Sequence, residues 1–76
     1  MSEKPIFIIT RGINDDLVDF AYSLEDAFNV VADRFTADEI LLQVIEIKTL
    51  VGEIDIDKLS SCDVYAMMKE QGYYSE

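Results

Sequence analysis

Two kinds of hydrophobic periodicity alternate along this chain, and their order limits the fold more than any other feature does. Residues 24–35 carry apolar side chains at helical spacing and lie between two runs rich in β-branched residues, 5–10 and 42–51. Strand-like and helix-like segments in one short chain are typical of a sheet covered by helices. We therefore expect an α+β fold, with a small, mostly antiparallel sheet of three or four strands and two helices packed on one face.

The segment before the central helix predicts a β-hairpin. Residues 5–10 are rich in isoleucine, with a proline confined to the first position, and residues 11–16 supply glycine, asparagine and aspartate for a turn before a second strand at 17–22. Ser23 predicts the helix N-cap, because its hydroxyl can accept a hydrogen bond from a free backbone N–H.

The segment after the central helix is open to two interpretations. Thr36 and Glu39 have the spacing of a second capping box, whereas residues 42–51 are dense in β-branched side chains. We favour a turn followed by a long strand. One face of that strand would carry Ile45, Ile47, Thr49 and Val51.

Two further elements complete the chain. Acids alternate with isoleucine in residues 53–57, which is the pattern of a half-buried edge strand whose charges discourage aggregation. Ser60 and Asp63 predict the start of a final helix that ends at Gly72. Because no linker or internal repeat is visible, we expect residues 1–76 to form a single small domain.

The composition argues against an enzyme and against bound cofactors. The chain has no histidine to serve as a catalytic base, and its three glycines are too scattered for a phosphate-binding loop. Lys58 and Val64 stand where a calcium loop starting at Glu53 would need glycine and glutamate. We expect no metal, no cofactor and an unreactive thiol at Cys62, where the neighbouring Asp63 opposes thiolate formation.

Charge is the second strong feature of the sequence. Sixteen Asp and Glu residues stand against six Lys and Arg, which gives a formal net charge of −10. Such a surface repels nucleic acid and membranes and attracts basic protein surfaces. We expect the partner to be the basic surface of a host protein or nucleoprotein complex, with no direct contact to nucleic acid or membrane. The absence of a secretory or membrane-spanning apolar run favours the cytoplasm.

The acids fall into two stretches, which contain most of the predicted partner-binding residues. These are Asp15, Asp16, Asp19, Glu25 and Asp26 in the first stretch and Glu53, Asp55 and Asp57 in the second. On a regular strand the last three would form a row of carboxylates about 6.6 Å apart, of the order of the phosphate spacing along one nucleic-acid strand. The row could imitate DNA, the acids could steer a basic partner, or the charge could serve only solubility.

Two tyrosines near the chain end are further candidates for partner contact. Tyr73 and Tyr74 could anchor a protein partner, since aromatic residues dominate the energetics of many interfaces. A hydrophobic contact just past the end of the last helix is the equally weighted alternative.

The predicted hairpin, the segment Tyr-Ser-Leu-Glu-Asp-Ala-Phe at residues 22–28 and the following strand resemble small acidic phage-encoded proteins that inhibit host machinery. The resemblance covers residues 5–51 and carries over no individual site residue. It implies an inhibitor that acts by direct binding, of the polymerase-inhibitor, anti-CRISPR or anti-restriction type. The alternative is a self-associating structural or regulatory subunit, for example a homodimer, because 50% of this small chain is hydrophobic.

Overall fold

A computed structural model describes residues 4–74, which form a four-stranded antiparallel sheet and three helices. The elements are β1 (Ile6–Arg11), β2 (Asp16–Ala21), α1 (Leu24–Arg34), α2 (Ala37–Leu42), β3 (Ile45–Val51), β4 (Ile54–Leu59) and α3 (Ser61–Glu70). The strand order is β2-β1-β3-β4. The expected α+β class with an antiparallel sheet is confirmed, and the sheet has the larger of the two predicted strand numbers.

The first two strands form the predicted hairpin. Gly12 takes a φ of 80° and Asp15 a φ of 55°, which are left-handed conformations that glycine and aspartate tolerate better than most residues. The Asp15 N–H donates to the Gly12 carbonyl at 3.2 Å and closes the turn. The pairing then shifts register between Ile9 and Thr10, so Val18 is an extra residue in β2, a β-bulge.

The central helix α1 begins at the predicted cap. The Ser23 hydroxyl accepts the backbone N–H of Asp26 at 3.0 Å, which satisfies one of the donors that a helix start leaves open. Ala27, Phe28 and Val31 lie on the predicted apolar stripe and are buried. The helix ends where Phe35 adopts an extended backbone.

The segment 36–44 corrects the sequence interpretation. We expected a turn and then a strand from residue 42, but residues 37–42 form helix α2 and β3 starts only at Ile45. The capping box is complete, because Thr36 Oγ1 accepts the Glu39 N–H at 3.3 Å and Glu39 Oε1 accepts the Thr36 N–H at 2.8 Å. These reciprocal bonds and the burial of Ile40 outweigh the β preference of the following residues. The helix count is therefore three rather than two.

One face of the sheet contributes to the hydrophobic core. Register places Ile9 opposite Ile47 and Ala21 opposite Phe7, and paired residues in an antiparallel sheet share a face. Ile9, Ala21, Ile45 and Ile47 are buried, so the β3 face that carries Ile45 and Ile47 is the one turned toward the core. The helices contribute Ala27, Phe28, Val31, Ile40, Val64 and Met68 to the same cluster.

The predicted edge strand at residues 53–57 is present as β4, but it spans Ile54–Leu59 and its burial differs from the prediction. Ile54 and Ile56 are 67% and 57% exposed, although their alternation with acids predicts a half-buried strand. A register shift places Thr49 opposite Asp57 and Leu50 opposite Asp55, which leaves Ile56 as an extra residue. Because this bulge reverses the alternation midway, no single face collects the isoleucines. Leu59, at the end of the strand, packs against the core.

The last helix follows the prediction. The Ser60 hydroxyl accepts the Asp63 N–H at 3.3 Å, and Val64 and Met68 are buried. Gly72 closes the helix with a φ of 86°, a left-handed conformation typical of this position. None of the helices within residues 4–74 is long and apolar enough to cross a membrane.

Candidate interaction surfaces

The predicted acidic residues lie at two opposite ends of the sheet. The β1–β2 turn, with Asp15 and Asp16, lies at the end where Arg11 pairs with Ile45. The start of α1 and the β3–β4 turn lie at the other end, because Ala21, Phe7, Thr49 and Asp57 form one cross-sheet row. Four residues of strand, or about 13 Å, separate the two ends. The eight acids therefore do not form one contiguous cluster.

Two of the predicted acids bind cations of their own molecule. Asp15 Oδ2 lies 3.2 Å from Lys48 Nζ, and Asp19 Oδ2 lies 3.1 Å from Arg34 Nη2. Exposed pairs of this kind contribute only about 0–1 kcal/mol to stability, but they reduce the local negative charge. Asp16 is exposed at the start of β2 and is the remaining acid of this group.

Glu25 and Asp26 lie in the first turn of α1, and both are exposed. The free N–H groups of the helix start favour negative charge there. The two carboxylates therefore have a structural role in α1 and are also accessible to a partner.

The predicted row of carboxylates on β4 does not form, which is a correction to the sequence interpretation. Glu53 lies in the turn before the strand. Asp55 and Asp57 pair with Leu50 and Thr49, which are neighbours on β3 and point to opposite faces of the sheet. All three acids are exposed, yet the bulge at Ile56 removes the regular spacing on which a likeness to nucleic-acid phosphates depends.

Tyr73 and Tyr74 pack back onto the molecule. The Tyr74 hydroxyl donates to the Phe35 carbonyl at 2.8 Å, and the Tyr73 ring meets the Phe28 ring edge-on at a centroid distance of 5.7 Å. Burial, followed by the charge of Glu39, raises the pKa of the Tyr74 phenol above its ordinary value. Of the two readings of these tyrosines, the geometry supports a hydrophobic contact past the end of the last helix.

Sequence reasoning missed an apolar surface on the sheet. We define the outer face as the strand residues whose register places them opposite the core: Ile6, Ile8, Thr10, Leu17, Phe20, Glu46, Lys48, Leu50, Asp55 and Lys58. Phe20 is 49% exposed there, and the adjoining Tyr22 is 67% exposed. Their rings meet at right angles with centroids 5.7 Å apart. The unbroken apolar run of β1 was the available signal, because a strand with one solvated face normally alternates.

The outer face divides into an apolar half and a charged half. Ile6, Ile8, Leu17 and Phe20 make up the apolar half together with the buried Thr10, whereas β3 and β4 place Lys48 directly opposite Lys58. Each lysine reaches an acid: Lys48 Nζ is 3.2 Å from Asp15 Oδ2, and Lys58 Nζ is 3.3 Å from Glu46 Oε1. The charged half is therefore nearly neutral, unlike the molecule as a whole.

A second exposed apolar group lies where the β1–β2 turn meets α2. The Gly12 N–H donates to the carbonyls of Gln43 and Val44 at 2.9 and 3.2 Å, which brings the turn close to the end of α2. Ile13 and Leu42 flank this contact and are 90% and 80% exposed. Val44 takes a φ of 53°, an unusual conformation for a β-branched residue.

Residues 4–74 enclose no cavity that could hold a small molecule. Within the same residues no group of three or more Cys, Asp and Glu side chains is arranged to hold a metal ion. Cys62 is a free, exposed thiol. The surfaces described above are thus the candidate functional sites of this part of the chain.

Comparison with known proteins gave no match, either to family models, to curated proteins or to solved structures.

Proposed function

We propose that this chain is a small acidic protein-binding inhibitor, encoded by a phage or mobile element, that covers the basic surface of a host nucleic-acid-handling complex. One observation carries the proposal: the net charge is −10, and few acids of the described residues form ion pairs within the molecule. Among the acids of residues 4–74, only Asp15, Asp19 and Glu46 form ion pairs with Lys or Arg side chains. Apart from the half-buried Glu39, whose two oxygens accept hydrogen bonds from Thr36 and Gln43, the other acids of this part of the chain are exposed and can attract a basic partner.

The acids act in this proposal by steering rather than by copying a nucleic-acid backbone. Glu25 and Asp26 on α1 and Glu53 on the β3–β4 turn lie at the same end of the sheet, and the strands that lead to them, β2 and β3, are two strand spacings or about 10 Å apart. A spread of charge over that width raises the rate of encounter with a basic surface and orients the approach. Steering does not require regularly spaced carboxylates, which β4 does not provide.

We also propose that all three helices pack on one face of the sheet and leave the outer face open. The support is the single buried cluster, which joins one face of β1, β2 and β3 to residues of every helix. The exposure of Phe20 and Tyr22 on the opposite face is consistent with this arrangement.

The proposal is tested by affinity capture from a bacterial lysate at low and high salt, with identification of the captured proteins by mass spectrometry. We expect a basic nucleic-acid-binding complex that is captured at low salt and lost at high salt, because salt screens exposed charges. If no such complex is captured, the result argues against the proposed inhibitor function.

A pair of charge-matched variants locates the binding surface once a complex is captured. The test variant carries Glu25→Gln, Glu53→Gln, Asp55→Asn and Asp57→Asn, and the control carries Asp33→Asn, Asp38→Asn, Asp63→Asn and Glu70→Gln. Both remove the same charge, so a specific site predicts lost capture in the first variant alone. Equal loss in both variants would mean that only total charge matters.

A second function, a self-associating structural or regulatory subunit, is favoured by a different observation. The outer face exposes aromatic side chains in a chain that is otherwise highly charged. Exposed apolar surface in a soluble protein often marks an interaction site.

A further inference from the structure

The outer face lies opposite the buried core and exposes Leu17 and Phe20 of β2. Phe20 and Ile8 pair across β2 and β1, and Leu50 lies beyond Ile6 on β3. Tyr22 directly follows β2 and packs edge-to-face against Phe20, which extends the apolar half toward the start of α1. An aromatic pair held on a rigid sheet is already ordered and loses little conformational freedom when it is covered.

The edges of the sheet are poor places for association. Both edge strands contain a bulge, at Val18 in β2 and at Ile56 in β4. Both also carry acids, for example Asp16 on β2 and Asp57 on β4. Bulges and charges are the devices that keep edge strands from pairing with other chains. Association through the face therefore needs less rearrangement than association through an edge.

The distribution of charge decides what fits the outer face. The three helices carry seven acids and only two basic residues. The strands on the outer face carry Glu46 and Asp55 against Lys48 and Lys58, and are balanced. A strongly basic partner would gain little there, because the outer face carries no net charge. A second copy of the chain meets a neutral face and keeps its own acidic helices on the far side.

We propose that the outer face binds a second copy of this chain, so that two sheets pack face to face and both sets of helices point outward. This inference deepens the second proposed function and is compatible with the first. Sheets packed in this way lie about 10 Å apart. The helices lie farther out, beyond the Debye length of about 8 Å at physiological salt, so repulsion between the two acidic sides is largely screened.

The register of the sheet specifies how the two copies meet. A two-fold axis in the plane between the sheets, perpendicular to the strands, places the apolar half of one copy over the apolar half of the other. One cross-sheet row runs through Phe20, Ile8, Lys48 and Lys58, and the next through Ile6, Leu50 and Asp55. An axis between these rows brings Lys58 near the partner subunit's Asp55 and Phe20 near the partner subunit's Tyr22.

The size of the face predicts a weak dimer. Four strands of six residues present roughly 20 Å by 20 Å, or about 400 Å² in each copy. A standard stable interface buries about 800 Å² in each partner. We therefore expect a dissociation constant between about 1 μM and about 1 mM, and a dimer whose population depends on protein concentration.

Sedimentation equilibrium of the purified chain alone tests the inference, with protein from about 10 μM to about 1 mM, a range chosen to span weak dimers. We expect a concentration-dependent dimer that persists at high salt, because apolar association is little screened. Phe20→Glu should raise the dissociation constant at least tenfold. The matched control is Leu42→Glu, which adds the same charge to an exposed apolar position outside the outer face and should leave the constant unchanged.

A charge exchange tests the orientation of the two copies. Lys58→Glu should weaken the dimer by placing two acids together, and Asp55→Lys added to it should restore the dimer. Failure of the double variant to recover would overturn the proposed axis.

Three results would overturn the interface itself. The first is a monomer at about 1 mM, because that concentration exceeds what a weak dimer needs. The second is an unchanged dimer in Phe20→Glu, and the third is loss of the dimer only in Leu42→Glu. Circular dichroism confirms that each variant is folded, and Tyr22→Glu replaces Phe20→Glu if the latter is not. Sedimentation uses the purified chain without a basic partner, so it tests the dimer independently of the lysate capture experiment. A monomer would not argue against the inhibitor, and failed capture would not argue against the dimer.

Discussion

Val44 is held in a backbone conformation that its side chain disfavours. Its φ of 53° belongs to the left-handed region, where a β-branched side chain crowds the backbone at a cost of about 1–3 kcal/mol. The residue links α2 to β3, next to the carbonyls that accept the Gly12 N–H. The strain is therefore a consequence of starting β3 directly after α2.

We predict that Val44→Gly raises the free energy of unfolding by about 1 kcal/mol, because relief of strain exceeds the added freedom of the unfolded chain. The measurement is chemical denaturation, and Val51→Gly, at the end of β3, is the control. That control should be less stable than the original chain, since β3 gains nothing from a glycine there. A destabilised Val44→Gly would show that the half-buried side chain matters more than the strain.

The Tyr74 hydroxyl connects the segment after α3 to the C-terminal end of α1, where it lies near the carbonyls of Val31 and Phe35. The hydroxyl donates to the Phe35 carbonyl at 2.8 Å, and the pKa of the phenol is raised above 10.0 by burial and by Glu39. The folded state thus holds the phenol proton more tightly than the unfolded state does. The resulting stability is fully present below about pH 10 and is lost as the pH rises through the folded-state pKa.

We predict that Tyr74→Phe lowers the free energy of unfolding by about 1 kcal/mol at pH 8, because the Phe35 carbonyl loses its donor. Between pH 9 and pH 11, values that bracket the ordinary tyrosine pKa of about 10, the original chain should lose stability more steeply than the variant. Thermal denaturation of both proteins across this range provides the comparison. Parallel pH profiles would show that Tyr74 does not contribute to alkaline unfolding.

At the scale of single elements, α2 depends on its cap. The helix has six residues and one fully buried side chain, Ile40, so packing alone gives it limited support. Thr36→Ala should lower the free energy of unfolding by about 1 kcal/mol, whereas Thr36→Ser, which keeps the hydroxyl, should cost less. Urea denaturation measures both, and equal losses would mean that the hydroxyl bond contributes nothing.

The sequence predicts elements well where their signals are local. The hairpin turn at Gly12, the cap at Ser23 and the cap at Ser60 involve residues within a few positions of one another, and each is confirmed. The bulge at Ile56 depends on how β4 aligns with β3, which no local pattern encodes. The broken carboxylate row and the exposure of Ile54 both follow from that pairing. The packing of the Tyr74 side chain likewise depends on Phe35, which is far away in sequence.

The choice at residues 36–44 shows two local signals in conflict. The capping box indicated a helix and the β-branched residues a strand, and both signals were correct for different residues. The boundary at Val44 requires a left-handed valine, which propensity alone does not anticipate. The sequence also did not identify the apolar outer face. The apolar run in β1 indicates that both faces of the strand are covered, but it does not indicate what covers the outer one.

At the scale of the whole molecule, repulsion among acids should dominate the response to salt. Each ion pair formed by Asp15, Asp19 or Glu46 includes one side chain that is at least 38% exposed, whereas the net charge is −10. Screening therefore removes more repulsion than attraction. Raising sodium chloride from about 10 mM to about 0.5 M, where the Debye length falls well below 10 Å, should raise the melting temperature by several degrees. A lower melting temperature would indicate that the ion pairs contribute more than the repulsion costs.

The strand order has a consequence for how fast the chain folds. Within residues 4–74, β1 pairs with β2 and β3 pairs with β4 as local hairpins, while β1 and β3 are separated in sequence by β2, α1 and α2. Only the central pair requires closure of a long loop, which is the slow step in proteins with non-local contacts. We expect the two hairpins to form early and their joining along β1 and β3 to set the folding rate. Substitutions at Ile9 or Ile47 should therefore slow refolding, whereas substitutions at exposed Ile54 should leave it nearly unchanged.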